Sequence, residues 1–330
     1  MGIAIQGDGV AARCCGQLLS RSGFAVSFES GHRTRLPAIM IGASTQELFH
    51  DVFENSSICK GFYPISRRAV KWGPDETTKI LPHAAVVADE TTLLERLGFP
   101  APPATPADPL WTIVASRPSG DPASRAFGQR IAFSLPVTLA PAAEPFTSWV
   151  EAAENGWLFL VANAPNSAWL LGVGDTPQAL LNDSNLIRPQ VAEIVGEARN
   201  FPAGPRIRWP LCGPNWLACG SGALAFDPLC GDGSGFAIRE AILASAVVRA
   251  SEAGGHREEL LAHYRARMLA GFQKHLEVCE SFYRSGGSTP WWTEQADQAH
   301  EGLRWCEAEL RGQPAFRYAL RGFDLHRLPG

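Results

Sequence analysis

Residues Ile3–Glu29 read IAIQGDGVAARCCGQLLSRSGFAVSFE. The apolar run from Ile3 to Gln6 has strand character and stops at Gly7. From Val10 to Ser22, Ala11, Ala12, Cys15, Leu18 and Leu19 recur at helical spacing. Phe24 to Glu29 reads as a second strand. Strand, glycine turn, helix and strand in this order open an α/β sheet.

The turn spells G-x-G-x-x-A with Gly7, Gly9 and Ala12, and Val10 and Ala11 lie between the last two. Gly7 permits the tight turn, Gly9 lets a pyrophosphate reach the helix N-terminus, and Ala12 keeps helix and sheet close. Glu29 ends the second strand, where a carboxylate can bond ribose hydroxyls. In this context the pattern predicts dinucleotide binding, against a βαβ unit that has lost its ligand. Arg33 and Arg35 follow, where a cation could meet the adenosine side or simply be solvated.

The chain has 330 residues, 45% hydrophobic and 19% charged, with net charge −4. That suits a soluble globular protein of one or two domains and leaves no electrostatic footprint for nucleic acid. No stretch approaches the roughly 18 apolar residues of a membrane span. The start MGIAIQGDG lacks the features of a signal peptide, so a cytoplasmic protein is expected. The eight cysteines and eight histidines follow neither disulfide-framework nor zinc spacing. The expectation is that no metal site exists and that the cysteines are small buried hydrophobes.

Further along, Thr45–Phe53 reads as a helix. Arg68–Trp72 and Thr78–Leu81 read as a hairpin, Ala84–Ala88 as a separate strand and Glu90–Leu97 as a helix. The proline-rich connector PAPPATPADP, Pro100–Pro109, suggests a join between units. Trp111–Ala115, Ile131–Leu139, Trp157–Ala162 and Ala168–Val173 read as strands, Pro189–Ala198 as a helix. Gly233–Ala250, His256–Arg284 and Thr293–Arg311 are read as helices. A dinucleotide start that departs quickly for a β-rich middle, returning near Trp111 and Trp216, fits an FAD protein better than an NAD enzyme of repeated βα units.

A second glycine loop, GSGALAFDPLCGDGSGFAIREA, spans Gly220–Ala241 ahead of a helix. Glycines there let a backbone approach a ligand, and the helix N-terminus attracts negative charge. GDGVAARCCGQLLSRSGFAVSFE resembles the flavin-binding start of p-hydroxybenzoate-hydroxylase-type flavoproteins. WLACGSGALAFDPLCGDGSGFAIREAILAS is similar to the second flavin motif of their tryptophan-halogenase-like branch. LPAIMIGAS, TIVASRP around Arg117 and HYRARMLAGFQKHLEVCESFYRSGGSTPWW resemble other segments of that branch.

The resemblance implies an FAD-binding Rossmann-like α/β domain of glutathione-reductase type. A β-rich substrate domain would interleave with it, and a helical C-terminal region would follow. The implied boundaries are 1–55, 84–130 and 205–250 for the FAD domain, 56–83 and 131–204 for the β-rich domain, and 251–330 for the helical region. It also implies that Ser221, Asp227, Pro228, Gly231, Asp232, Gly233, Ser234 and Gly235 meet the ribitol and flavin ring, with Leu229–Gly235 offering backbone amides. Asp227 and Asp232 could equally cap turns and the helix. Ser221 stands where the branch has aspartate, and Ser116 where it has glycine before Arg117. Cys230 replaces a serine and has no base nearby in sequence.

The Trp-x-Trp-x-Ile-Pro motif of halogenases is absent, the comparable strand being Trp157-Leu158-Phe159-Leu160-Val161. Lys60 also stands too far before Trp72-Gly73 to match their lysine. Halogenation is therefore not expected. The compact form looks most like the flavoproteins that mature tryptophylquinone cofactors in lysine-oxidase and glycine-oxidase systems, and related Trp hydroxylases. This implies an FAD-dependent monooxygenase acting on an indole-like ring, as a small molecule or as a Trp of a partner protein. NAD(P)H or external reduced flavin would be the transient reductant. The alternative is a non-catalytic flavin-binding chaperone. Trp157, Phe159 and Trp169 could wall an aromatic pocket or form a sheet core. His83 reads as structural, and the pair Trp291-Trp292 as an exposed contact for a partner.

Overall fold

The computed structural model describes residues 2–29, 31, 35–74, 77–98, 108–117, 123–313 and 316–328. Arg33 and most of the proline-rich connector lie outside them. The chain opens with β1 (Gly2–Gln6), α1 (Val10–Arg21), β2 (Ala25–Glu29), β3 (Ile39–Gly42), α2 (Ala43–Phe53), β4 (Tyr63–Lys71), β5 (Lys79–Ala88) and α3 (Glu90–Leu97). There follow β6 (Trp111–Val114), β7 (Ser124–Ala126), β8 (Ile131–Leu139), β9 (Thr147–Ala153), β10 (Gly156–Ala164), β11 (Ser167–Gly174), α4 (Pro177–Asp183), β12 (Val191–Ile194) and β13 (Arg199–Pro202). The last part holds β14 (Arg206–Arg208), β15 (Cys212–Gly213), β16 (Trp216–Ala218), β17 (Leu224–Ala225), α5 (Gly233–Glu252), α6 (Arg257–Gly286), α7 (Pro290–Arg311), β18 (Tyr318–Arg321) and β19 (Asp324–Arg327).

The first sheet has the order β15-β16-β6-β1-β2. Ile3 and Ile5 are fully buried, and β1 lies between two parallel neighbours, pairing Ile3 with Val26 and with Trp111. A strand covered on both faces needs such an unbroken apolar run. β16 joins in parallel through Leu217 and Ile113, so residues from three distant parts of the chain make one sheet. Helix α1 buries Val10 through Gly16, Leu18 and Leu19, and α5 packs beside it.

The second sheet runs β12-β8-β11-β10-β9-β4-β5-β3, with β13 also on β8. β8 and β11 largely alternate buried and partly exposed residues, whereas β10 is buried along most of its length because both faces are covered. Phe133, Leu135, Leu158, Leu160, Leu170 and Trp149 form one cluster on one face. The other face carries Trp157, Phe159, Val161, Trp169, Leu171 and Val173, as the pairings Phe159–Leu171 and Val161–Trp169 require. Against this face lie Leu229 and Cys230 of the second glycine loop, with Cys279 and Tyr283 of α6. The molecule is therefore mixed α/β, a mainly parallel sheet beside a mainly antiparallel one, with α5–α7 between and beyond.

Several elements differ from the sequence reading. Pro189–Ala198 is not a helix: a 3-10 turn at Arg188–Gln190 leads into β12, which pairs with β8. The i, i+3 spacing of Val191 and Ile194 fits a short edge strand as well as one helical turn. Ala84–Ala88 is the end of a single long β5, and Pro82 inside it lies opposite Arg67, where the register shifts. A bulge is one of the few places where a sheet accepts proline. Trp292 is a core residue, 1% exposed, donating to the Ala153 carbonyl at 3.1 Å, and Trp291 is half-buried beside it. Among the described residues no helix is long and apolar enough to cross a membrane.

Candidate functional site

The first glycine loop is built by backbone. Gly7 has φ +130°, and a Cβ there would lie 2.3 Å from Ser116 Oγ. Only glycine suits that conformation. Gly9 is the extended N-cap of α1 and no side chain caps the helix. The first turn therefore presents backbone N–H groups with no side-chain cap and no acidic residue of its own. Ala12 is fully buried between helix and sheet. Glu29 is exposed at the end of β2, opposite Gln6. Arg35 meets this loop through a two-point ion pair with Asp8, one contact being Nη1 to Oδ1 at 3.1 Å.

The second loop packs directly on the first. A Cβ on Gly220, whose φ is +54°, would come within 2.6 Å of the Ala11 methyl. Its backbone N–H donates to Glu240 Oε2 on α5 at 2.7 Å, and burial pushes that carboxyl well above the usual range. Ser221 is exposed, its hydroxyl donating to the Ala115 carbonyl at 3.4 Å. Ser116 is next to it, with a buried hydroxyl that has no hydrogen-bond partner among the described residues, facing Gly7 and Gly31. Arg117 is exposed beyond it. Two loops and the end of β6 thus converge on one cradle.

Beyond Ser221 the loop depends on side chains. Asp227 is buried; its Oδ1 accepts from Leu229 N at 3.0 Å, capping the turn Pro228–Cys230. Its Oδ2 accepts from Arg130 Nε at 3.0 Å and Tyr283 Oη at 2.8 Å, and its own N–H donates to His275 Nε2 at 2.9 Å. Arg130 also reaches Gln295, and Trp157 Nε1 donates to Tyr283 Oη at 3.3 Å. Trp157 is thus part of the supporting wall, whereas Phe159 and Trp169 are half-buried on the same face.

Gly231 has φ +62° and turns the chain into Asp232, Gly233, Ser234 and Gly235. Asp232 does not cap α5. Its carboxylate accepts from Thr45 Oγ1 at 2.7 Å and Arg239 Nη1 at 2.9 Å, tying the starts of α2 and α5 together. A Cβ on Gly235 would meet that carboxylate at 2.3 Å. The N-terminus of α5, like that of α1, has no side-chain cap.

Sequence reasoning missed Arg130, Tyr283, His275 and Cys279. The last three recur every four residues, which places them on one stripe of α6. That spacing was the available signal. It also corrects the reading of Cys230 as lacking a base: His275 Nδ1 is 3.2 Å from its sulfur. His83, for its part, has a partner in Arg68, Nη2 to Nε2 2.9 Å, and burial followed by that guanidinium holds its pKa down.

No protein-family model matches the sequence, and no curated protein is significantly similar to it. Solved structures do match. The flavin-dependent halogenase CmlS aligns with TM-score 0.74 at 16% identity, over 94% of this chain and 71% of that one. QhpG, a peptidyl tryptophan dihydroxylase essential for tryptophylquinone cofactor biogenesis, aligns with TM-score 0.73 at 16% identity, over 99% and 86%. The 2,6-dihydroxypyridine-3-hydroxylase of Arthrobacter nicotinovorans aligns with TM-score 0.65 at 12% identity, over 87% and 94%. The chain has the fold shared by the flavin-dependent halogenases and these aromatic hydroxylases.

Proposed function

We propose that this chain binds FAD and hydroxylates an electron-rich aromatic ring of indole type. The observation that carries the reading is the cradle. Two glycine loops meet at Ala11 and Gly220, the helices behind them have N-termini without side-chain caps, and the buried Ser116 hydroxyl between them lacks a partner among the described residues. Such a site suits an anionic dinucleotide. Gly7, Gly9, Val10, Ala11 and Ala12 would take the pyrophosphate and Glu29 the adenosine ribose. Ser116, Arg117 and Ser221 would line the middle, and the amides of Leu229–Gly235 would lie at the ring. The binding unit would comprise 1–55, 84–130 and 205–250, with β3 and the end of β5 lending strands to the second sheet; 56–83 and 131–204 would form the substrate side and 251–330 the helical region.

Reduced FAD would supply oxygen-atom transfer from dioxygen, with NAD(P)H or free reduced flavin as electron source. The chain's part is to position the ring and exclude water. Phe159 and Trp169 offer a half-buried aromatic face beside Leu229 and Cys230. On the same face Arg68 keeps a buried Nε without a partner among the described residues, suited to a carbonyl or carboxylate of the substrate. Lys71, the lysine beside Trp72, pairs with Glu151 at 3.7 Å, and the register of β9 and β10 puts both on the opposite face. That favours hydroxylation over halogenation. The likeness to QhpG supports a Trp residue of a partner protein as one form of the substrate.

The test is flavin titration followed by oxygen uptake with a reductant and an indole or Trp-containing peptide, with products read by mass spectrometry. A hydroxylated product is expected. Tight flavin binding without oxygen uptake would instead favour a flavin-binding partner module, and absence of binding would refute the reading.

A further inference from the structure

The second glycine loop carries a chemical group that the hydroxylase reading leaves unused. Cys230 lies at its apex, half-buried against the aromatic face, and α6 presents His275 and Cys279 behind it. His275 Nδ1 is 3.2 Å from Cys230 Sγ, and His275 Nε2 is 3.3 Å from Cys279 Sγ. The ligand atoms of all three residues lie within 4.8 Å of one another.

The backbone decides the protonation of this cluster. Asp227 N–H donates to His275 Nε2 at 2.9 Å, so that nitrogen must be the acceptor. The ring proton of the neutral imidazole then sits on Nδ1 and points at Cys230 sulfur. A metal on Nδ1 would instead call for a proton on Nε2, directly against the Asp227 N–H. The arrangement therefore suits a thiolate better than a metal ion. The two sulfurs are correspondingly unequal. The pKa of Cys230 is held down to about 6, first by the neighbouring Cys279 thiol and then by His275, against the effect of burial. Cys279, fully buried, is pushed up by its neighbour Cys230 and by burial. One thiolate beside one thiol is the starting state of a disulfide exchange.

We infer that Cys230, Cys279 and His275 form a thiol–disulfide redox centre that exchanges an electron pair with the flavin held by the same loop. This rests on the flavin reading above. The Cys230 thiolate and the Cys279 thiol join as a disulfide, releasing two electrons and one proton, and oxidised flavin takes up all three. An external dithiol restores the pair by thiol–disulfide exchange at the more accessible Cys230, and leaves as its own disulfide. Closing the bond to about 2.05 Å brings together two sulfurs that lie within 4.8 Å of each other. The centre would thus give the flavin a route to electrons independent of a nicotinamide.

The experiment uses the full chain, reduced and flavin-free, equilibrated without oxygen in glutathione mixtures of stepped ratio. Alkylation and peptide mass spectrometry then count free thiols, and flavin binding is measured separately by fluorescence titration. A Cys230–Cys279 crosslink is expected, lost in Cys279→Ser, which should instead trap glutathione on Cys230. Adding FAD to the reduced protein should bleach the 450 nm band while two thiols disappear, and Cys279→Ser should abolish the bleaching. Flavin binding without any crosslink overturns the redox centre alone. A crosslink without flavin binding overturns the flavin reading, and the electron exchange with it. One equivalent of zinc shielding both thiols would overturn the redox assignment in favour of a metal site.

Discussion

The two glycine loops each hold an aspartate paired with an arginine, yet the pairs differ in kind. Arg35 and Asp8 at the first loop are 31% and 12% exposed, whereas Arg130 and Asp227 at the second are 1% and 0%. The first loop would keep its shape without its ion pair, because Gly7, Gly9 and Ala12 set it by backbone and close packing. The second is suspended from Arg130, just before β8, from side chains of α6 and from the 3-10 turn that Asp227 caps. A loop shaped by backbone is robust and readable; one shaped by distant side chains can be tuned.

The largest effect should follow from cutting the buried pair. Asp227→Ala strands the Arg130 guanidinium and leaves Tyr283 Oη and Leu229 N without their acceptor. Removing one partner of a buried pair costs about 3–5 kcal/mol. Asp8→Ala should cost less, on the order of 1 kcal/mol, because Arg35, 31% exposed, can turn to water although Asp8 itself is buried. Urea unfolding of both variants measures the contrast, and equal losses would break the comparison.

Gly9→Val addresses the first loop where it should matter. Gly9 has φ −79°, which valine can adopt, so the backbone itself does not forbid the change. A side chain there occupies the place proposed for the pyrophosphate. FAD binding should weaken by at least roughly a hundredfold, about 2.7 kcal/mol. Unchanged flavin content would remove the first loop from the site.

A third test uses pH. Cys230 titrates near 6 in the folded chain against a reference of 9.0, under the influence of Cys279, His275 and Asp227. A depressed acid adds stability that is complete above the unfolded value and is lost as pH falls toward the folded one. Under reducing conditions, stability should therefore decline from pH 9 to 6, partly offset by the raised Cys279, and Cys230→Ser should flatten that decline. Urea midpoints across that range decide it, and an unaltered slope in the variant would detach Cys230 from the effect.

How much of this was written in the sequence follows the same division. The βαβ start was legible because each of its residues acts on near neighbours: Ile3 and Ile5 by burial, Gly7 by its φ, Ala12 by its size. The second loop was legible as a ligand loop and as the start of α5, since glycines and a long apolar helix are local signals. Its support was not. Nothing near Asp227 announces Arg130, which is brought to it by the packing of β8 against α6 and α7. Trp291 and Trp292 misled because a Gly-Gly turn before them suggests exposure, whereas α7 folds Trp292 back over Gly286 and Gly287. Strand β12 was misread because four residues carry too little periodicity to separate one helical turn from an edge strand.

The smallest expected effect lies where the loops touch. Ser221 stands where the resembling flavoproteins have aspartate, and its hydroxyl makes one long bond, 3.4 Å, to the Ala115 carbonyl. A neutral hydrogen bond contributes about 1 kcal/mol net, and a charge-assisted one roughly twice that. Ser221→Asp should thus tighten FAD binding by about tenfold at most, since 1.4 kcal/mol is one decade. Two local features pull in opposite directions. The Ala115 carbonyl, now facing a carboxylate, repels it, while the open N-terminus of α1 beside Ala11 attracts it. If the carbonyl dominates, the new side chain turns to solvent and affinity stays unchanged; if the helix dominates, the gain approaches the tenfold ceiling. Fluorescence titration at low and high salt separates the two, because an exposed carboxylate's attraction to the helix end weakens with screening. A gain that survives high salt would mean that the aspartate bonds the ribitol directly, as the resemblance implies. Tighter binding by a hundredfold would show that the second loop, too, is set by backbone, with a ribitol position already shaped for a carboxylate.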